Sequence, residues 1–396
     1  MEAKRVLIVL PDPPLPFGNA ASRWFYVLCK GLVEGGHDVT VFAACRTDNE
    51  KEEALKLFPK REYDLRCYAH PIRKGLRSKW ETWQRPYSYV FSERLQHDLE
   101  VEIARSCDVL HIEQLWSGWL GVEHADRALL NVHFSPGIDL GEDVSSSVSR
   151  VLLQKQSLRA EKKILRSYPV ISTLTSRLEQ YVRMNNPEAV VKTIPLALDL
   201  SRYPFTVEPS SDVGPVVSLI GSFNWGPTYS AGVRLLTRLW PEIKRRRPEA
   251  QLQIVGRDAR KALQAFVKGS DVAIHENVPD TVPYFERTGV LLFPAKSASG
   301  MKVKVLEAMA LGTPVVTTKE GVEGLPARDG IHAAICDDDA GLVGRTIALL
   351  NPSLHRMKLR QAARALIEKH CSPRSTVDAV ESVHELIAER QLAPIS

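Results

Sequence analysis

No stretch of this 396-residue chain contains 18 or more consecutive apolar residues, so no segment reads as a membrane-crossing helix. Cysteine is scarce and scattered. Cys29, Cys45, Cys67, Cys107, Cys336 and Cys371 form no CxxC pair, which argues against structural zinc and suits reduced thiols better than a disulfide framework. A secretory leader is also missing: the apolar run at 6–10 is too short and enters a Pro-rich loop at once, so the chain is expected to stay in the cytoplasm. Absence of a short-period repeat argues against a solenoid. No RNP aromatic pair or zinc finger accompanies the basic residues, so nucleic acid is not an expected partner. No metal and no cofactor are expected.

With 44% hydrophobic and 25% charged residues, the chain is long enough for two domains with sizeable cores. Short apolar runs alternate with helical patterns throughout, the signature of parallel sheets with crossover helices. Strands are expected at 6–10, 38–43, 109–112, 128–132 and 169–173, with a helix at 21–34 closed by Gly35-Gly36. Residues 199–214 lose this periodicity and gather Pro, Ser and acidic residues. The expected division is a first domain at 1–203, a linker at 204–214, a second domain at 215–375, and a C-terminal helix at 376–396 packing back on the first domain. In the second half, strands are expected at 216–220, 252–255, 272–275 and 290–293, with helices at 231–245 and 259–267. The fold class is therefore α/β: two tandem doubly wound parallel sheets, with ligands held at the strand ends in a cleft between the domains.

The most informative run is 297–316, where Ser, Ala and Gly lead from the 290–293 strand into a helix stopped by Gly312-Thr313-Pro314. Backbone N–H groups at such an entry attract anions, and small residues let a phosphate approach. Lys302 and Lys304 add whole charges. Glu307, about one turn inside, would repel a diphosphate but suits the hydroxyls of a ribose further along a ligand. On these residues alone, an amphipathic helix with a solvated lysine face and a Glu complementing the dipole reads equally well. The net charge of +5 is unevenly spread. Residues 73–87 mix cations with Trp80, Trp83 and Tyr87, a composition that suits anionic lipid headgroups, a solvated face or an acceptor-pocket wall. The cations at 244–247 end an expected helix and complement its dipole.

The chain resembles the GT-B retaining glycosyltransferases of family 4 (glycosyl transferases group 1) over most of its length. The strongest match is Val303-Lys304-Val305-Leu306-Glu307-Ala308-Met309-Ala310-Leu311-Gly312-Thr313-Pro314-Val315-Val316, similar to that family's donor-binding helix. Weaker matches follow in order: Leu15-Pro16-Phe17-Gly18-Asn19-Ala20, Gly35-Gly36-His37, Asp108-Val109-Leu110-His111, Asn131-Val132-His133, Ile194-Pro195-Leu196, Leu219-Ile220-Gly221-Ser222, Ile254-Val255-Gly256-Arg257 and Pro279-Asp280. The resemblance implies two Rossmann-like domains. It also implies transfer of a sugar from a nucleotide diphosphate donor to a hydroxyl of a saccharide, glycolipid or other acceptor, with anomeric configuration retained. The nucleotide sugar is then a substrate, and cations take the place of a metal.

By carry-over, Glu307 binds the ribose. The N–H groups of Gly300, Met301, Lys302, Val303 and Lys304 hold the diphosphate, and Gly18 with Asn19 closes over it. His133 lies near the transferred sugar, and Ser222, Arg257 and Ser299 complete the donor side. His111 reads as structural, Glu113 as a possible acceptor contact and Asp199 as a brace for the linker. Two departures stand out. Ser299 occupies a position where the family commonly has a carboxylate, and Ser222 followed by Gly226-Pro227-Thr228 lacks the family's cations. Lys302 and Lys304, the latter above all, are expected to replace that charge, which makes His133 and Lys304 the catalytic candidates. Peripheral contact with the inner face of the membrane through 73–87 is a further expectation. A sugar-nucleotide epimerase and a non-catalytic sugar-nucleotide-binding protein are the alternatives.

Overall fold

Runs of four to six Val-, Ile- and Leu-rich residues, too short for helices, become strands covered on both faces. The computed structural model describes residues 2–72, 75–139, 148–206, 214–296 and 299–392. The chain divides into one unit of Met1–Ala197 with Pro373–Ser396, and a second of Leu198–Ser372.

The first unit is built on seven parallel strands: β1 (Arg5–Leu10), β2 (Asp38–Cys45), β3 (Asp64–Ala69), β4 (Val109–Glu113), β5 (Ala128–Val132), β6 (Val170–Thr173) and β7 (Val190–Thr193), in the order β3-β2-β1-β4-β5-β6-β7. Val6 pairs with Val39 on one side and Val109 on the other, so the strand order reverses at β1. Val6 to Leu10 are fully buried, the burial expected of a central strand in a parallel sheet. The helix Ala20–Glu34 ends at Gly35, and Gly36 takes a left-handed φ of 85°, which lets the His37 N–H return to the Leu32 carbonyl. The helix Pro373–Leu392 belongs to this unit. Its Val377 packs so tightly on the helix Ala20–Glu34 that a Cβ at Gly31 would lie 2.4 Å from Val377 Cγ2.

The second unit holds six parallel strands, β8 (Val216–Ile220), β9 (Gln251–Gly256), β10 (Val272–Glu276), β11 (Val290–Phe293), β12 (Val315–Thr317) and β13 (Ala334–Ile335), in the order β10-β9-β8-β11-β12-β13. The order reverses between β8 and β11, the position where such sheets accept ligands at their carboxyl ends. The chain passes into this unit at Leu198, so residues 198–203 fold with it although the expected boundary lay at 203. Asp199 braces the turn at Leu200–Arg202 by accepting from the Ser201 N–H. Of the expected linker at 204–214, residues 207–213 lie outside the described residues.

Every expected strand is present to within one or two residues. Strands β3, β7 and β13 were not foreseen. All three are edge strands, covered on fewer sides, and β3 and β7 carry Arg66 and Lys192 in place of continuous apolar residues. The helix expected at 231–245 begins earlier, at Gly226. It widens into a π-turn at Leu235–Leu239 just before Pro241, which has no N–H to give and whose ring crowds the preceding turn. Its last turn carries Lys244, Arg245 and Arg246, as the dipole favours. Among the described residues no helix is long and apolar enough to cross a membrane.

Candidate functional site

In the second unit the loop after β11 turns at Gly300 (φ 79°) into the helix Val303–Leu311. Lys302 occupies the N-cap position, its carbonyl accepting from the Val305 N–H at 2.8 Å. Gly312 closes the helix with φ 76°; a Cβ there would meet Phe205 at 2.5 Å. Ser297 and Ala298 lie outside the described residues.

Glu307 is fully buried. Its Oε1 accepts from the Tyr203 hydroxyl at 3.1 Å and its Oε2 from Lys304 Nζ at 2.6 Å. Lys304 also donates to Thr281 Oγ1 at 2.9 Å and lies 6.0 Å from the Phe285 ring centre. The expected spacing of one turn therefore produces a charged pair, with the ammonium at the helix entry. Lys302 behaves differently from its neighbour. Its side chain is turned inward, donating to the Gly300 carbonyl and lying 3.5 Å from Glu323 Oε2, so it braces the loop as well as bringing charge to it. Ser299, Met301 and Val303 are buried in the same turn.

The neighbouring strand ends complete this edge. A Cβ on Gly256 (φ 143°) would lie 1.7 Å from the Gly221 carbonyl oxygen, so glycine there lets the ends of β8 and β9 press together. Ser222 and Arg257 follow these two glycines. Ser222 donates to Asn224 Oδ1 at 2.9 Å, the Arg257 carbonyl receives the Phe223 N–H, and the Arg257 side chain is exposed. Ser222, Arg257, the Gly300 turn and the helix entry thus share the carboxyl edge of one sheet, in the strand order β9-β8-β11.

In the first unit, Asn19 caps the helix Ala20–Glu34 by accepting from the Ser22 N–H at 2.8 Å, with Gly18 left-handed beside it. A Cβ on Gly18 would meet nothing within 4 Å, so only its backbone conformation calls for glycine.

His133 sits in a buried polar cluster. Two-residue alternation places His111 and Glu113 on one face of β4, while Asn131 and His133 lie on the same face at the end of β5, Glu113 being in register with Asn131. Glu113 Oε2 receives His133 Nε2 at 2.6 Å and Asn131 Nδ2 at 3.2 Å. Its Oε1 receives Trp24 Nε1 at 3.0 Å and Asn131 Nδ2 at 3.1 Å. His111 Nε2 lies 3.1 Å from the same Oε1, a close polar contact off the ideal hydrogen-bond direction. Burial alone would push the Glu113 carboxyl up, but electrostatic attraction to His133 and His111 and the hydrogen bonds they give outweigh it and hold the group well below the usual carboxylate range. From the helix Pro373–Leu392, His384 Nε2 meets His111 Nδ1 at 3.0 Å. Burial holds His384 neutral, far below the ordinary histidine range. The expected structural role of His111 is what the geometry gives. Glu113 has no exposed surface, and its oxygens are engaged by His133, Asn131 and Trp24.

Tyr203, Thr281, Trp24 and His384 were not foreseen as members of these clusters. For His384 and Tyr203 no local signal exists, since their partners lie 273 and 104 residues away. The alternating His-x-Glu and Asn-x-His of β4 and β5 could have revealed the pairing around Glu113.

Two tandem parallel-sheet units of this kind define the GT-B fold, and solved structures agree over nearly the whole chain. Sucrose-phosphate synthase from Thermosynechococcus elongatus matches with a TM-score of 0.73 at 16% identity, covering 97% of this chain and 99% of that one. HepE from Anabaena, solved with UDP and glucose, gives 0.68 at 12% identity, with 96% and 99% covered. A TarM variant from S. aureus, in complex with fondaparinux, α-GlcNAc-glycerol and UDP, gives 0.67 at 10%, with 96% and 99% covered. No curated protein matches the sequence. Within this fold, the family model of the glycosyl transferases group 1 matches residues 214–352, so the second unit is similar to that family.

Proposed function

We propose that the protein moves a hexose from a nucleotide diphosphate donor to a hydroxyl of a saccharide or glycolipid acceptor, retaining the anomeric configuration and needing no metal. The observation that carries this reading is the buried Glu307, held by Tyr203 and Lys304 at the entry of the helix Val303–Leu311, beside the reversal of strand order in the second sheet. A carboxylate there accepts hydrogen bonds from a ribose, while the entry N–H groups and Lys304 face the diphosphate. The bond from the anomeric carbon to the diphosphate breaks as the acceptor oxygen bonds to that carbon on the same face, and the acceptor's proton passes to a diphosphate oxygen. Stabilising the departing charge is the main catalytic task, carried by the helix entry, Lys304 and Arg257. His133 contacts the transferred sugar, with Gly18 and Asn19 closing on the donor.

Donor turnover tests this directly. A panel of UDP-, GDP-, ADP- and TDP-sugars is incubated with the protein, with and without saccharide acceptors and with a chelator present. The expected result is slow release of the nucleoside diphosphate, accelerated by an acceptor and unaffected by the chelator, with a product whose anomeric proton coupling matches the donor's. An isomerised donor without transfer, or binding without turnover, overturns the reading.

The lipid-linked acceptor rests on one surface. Ile72, Leu76 and Trp80 are 89%, 84% and 62% exposed, the last two one turn apart on the helix Leu76–Gln84 beside Lys79. Leu152 and Leu153 are exposed on the helix Val148–Ser167, which is joined to the first by Gln156 Nε2 donating to the Trp83 carbonyl. Apolar residues among cations suit an anionic bilayer surface; Arg73 and Lys74 of this stretch lie outside the described residues. Co-sedimentation with vesicles containing anionic lipid, lost in the Leu76→Ser/Trp80→Ser variant, is expected. No sedimentation of the parent protein refutes it.

A further inference from the structure

We infer that Glu113 is a positioning residue that locks His133 as its Nε2–H tautomer, and that His384 of the C-terminal helix orders the same chain of protons from behind. This rests on the reading of His133 as the group that contacts the transferred sugar.

The argument follows from counting donors around one carboxylate. The indole of Trp24 can only donate, and so can the Asn131 amide nitrogen. Both are aimed at Glu113, together with His133 Nε2 at 2.6 Å. A proton on Oε1 would oppose Trp24 and Asn131, one on Oε2 would crowd the Asn131 amide at 3.2 Å, and the neighbouring histidines hold the carboxyl well below its usual range, so the group is ionised. Its burial is tolerable only because the surrounding N–H groups replace water. An ionised carboxylate can only accept, which obliges His133 to carry hydrogen on Nε2. Nδ1 then remains for a ligand, since it has no protein partner among the described residues.

The same logic runs outward from the other oxygen. His111 Nε2 lies 3.1 Å from Glu113 Oε1, off the hydrogen-bond direction, and hydrogen is favoured there because a bare ring nitrogen would face the carboxylate's lone pairs. Its Nδ1 must then accept, and the donor is His384 Nε2 at 3.0 Å. All the protons of the chain His384, His111, Glu113, His133 therefore point towards the carboxylate. Each ring is held in one orientation by side chains that are themselves buried. A histidine without such a partner would sample both tautomers and offer its ligand a donor part of the time and an acceptor the rest.

The test begins with the parent protein labelled with 15N-histidine, so that no variant need fold. Long-range 1H–15N spectra, with His133→Gln used for assignment, are expected to show His133 protonated at Nε2 in the absence of any ligand; a resting Nδ1–H tautomer overturns the proposal. In Glu113→Gln the carboxamide keeps its oxygen towards Trp24 and His111 and turns its NH2 towards His133, so the tautomer is expected to switch. Sugar transfer should fall by about 10- to 100-fold in kcat, with the donor KM nearly unchanged. A switched tautomer with full transfer, or a fall in transfer without the switch, refutes Glu113 as a positioning residue. The underlying reading fails separately: a His133→Ala variant that transfers sugar at the parent rate removes the role of His133 while leaving the tautomer result intact.

Discussion

Replacing Lys304 by Met should cost stability before it can be interpreted as lost catalysis. The ammonium lies 2.6 Å from Glu307 Oε2, and Glu307 has no exposed surface, so removing the cation leaves a buried carboxylate with Tyr203 as its hydrogen-bond donor across 3.1 Å. Breaking a fully buried pair from one side costs about 3–5 kcal/mol. The Lys304 side chain is 20% exposed, so solvent screens part of the attraction and about 2–3 kcal/mol is the better figure. For a unit of this size that corresponds to a Tm lower by about 4–12 °C. The double variant Lys304→Met/Glu307→Leu removes both charges and should recover to within about 1 kcal/mol of the parent, the remainder being the hydrogen bond that Tyr203 no longer gives to Glu307. Both should bind donor nucleotide weakly. Thermal and urea unfolding followed by circular dichroism measures the first effect, and nucleotide titration the second. A Lys304→Met protein melting within about 2 °C of the parent would refute the claim that Lys304 balances Glu307. A double variant less stable than the single one would do the same.

Three further outcomes are expected. Gly256→Ala should destabilise by about 3 kcal/mol or more, because its Cβ would lie 1.7 Å from the Gly221 carbonyl oxygen; Gly18→Ala, with open space around it, should cost only the left-handed backbone penalty of about 1–2 kcal/mol, and equal losses in chemical denaturation would contradict this. Asn19→Ala should cost about 1 kcal/mol through the lost cap, with Asn19→Ser restoring most of it in the same assay. His384, whose folded state resists protonation because of burial and the charges of His111, His37 and Lys4, with Glu113 opposing, should make stability fall as pH drops below about 6.5. The unfolded chain takes up a proton there and the folded one does not. The stability difference between the parent and His384→Gln should therefore shrink by about 1.4 kcal/mol between pH 7.5 and pH 5.5, and a difference independent of pH counts against the buried neutral ring.

Much of the fold was readable because central parallel strands are apolar on both faces. Val6 to Leu10, Val216 to Ile220 and Val290 to Phe293 could hardly be anything else. The edges were not readable: β3 is half polar, and β13 is a two-residue strand with no pattern of its own. In the second unit the run after β11 announced a helix entry with lysines and a carboxylate, and the observed pairing of Lys304 with Glu307 follows from their spacing alone. Lys302, two residues from Lys304, looked equivalent in the sequence and is not. The Gly300 turn points it into the protein, where backbone geometry rather than residue type sets its partner.

The sequence by itself determined the two parallel sheets, the ends of their helices and the small-residue helix entry with its lysines, because these depend on burial period and on the local needs of backbone N–H and C=O groups. Only the tertiary structure decided which distant side chains complete each cluster. Tyr203 reaches Glu307, His384 reaches His111, and Trp24 converges with Asn131 and His133 on Glu113. A buried charge must be surrounded by donors wherever packing brings them. That packing joins helices and strands hundreds of residues apart, at distances no local pattern encodes.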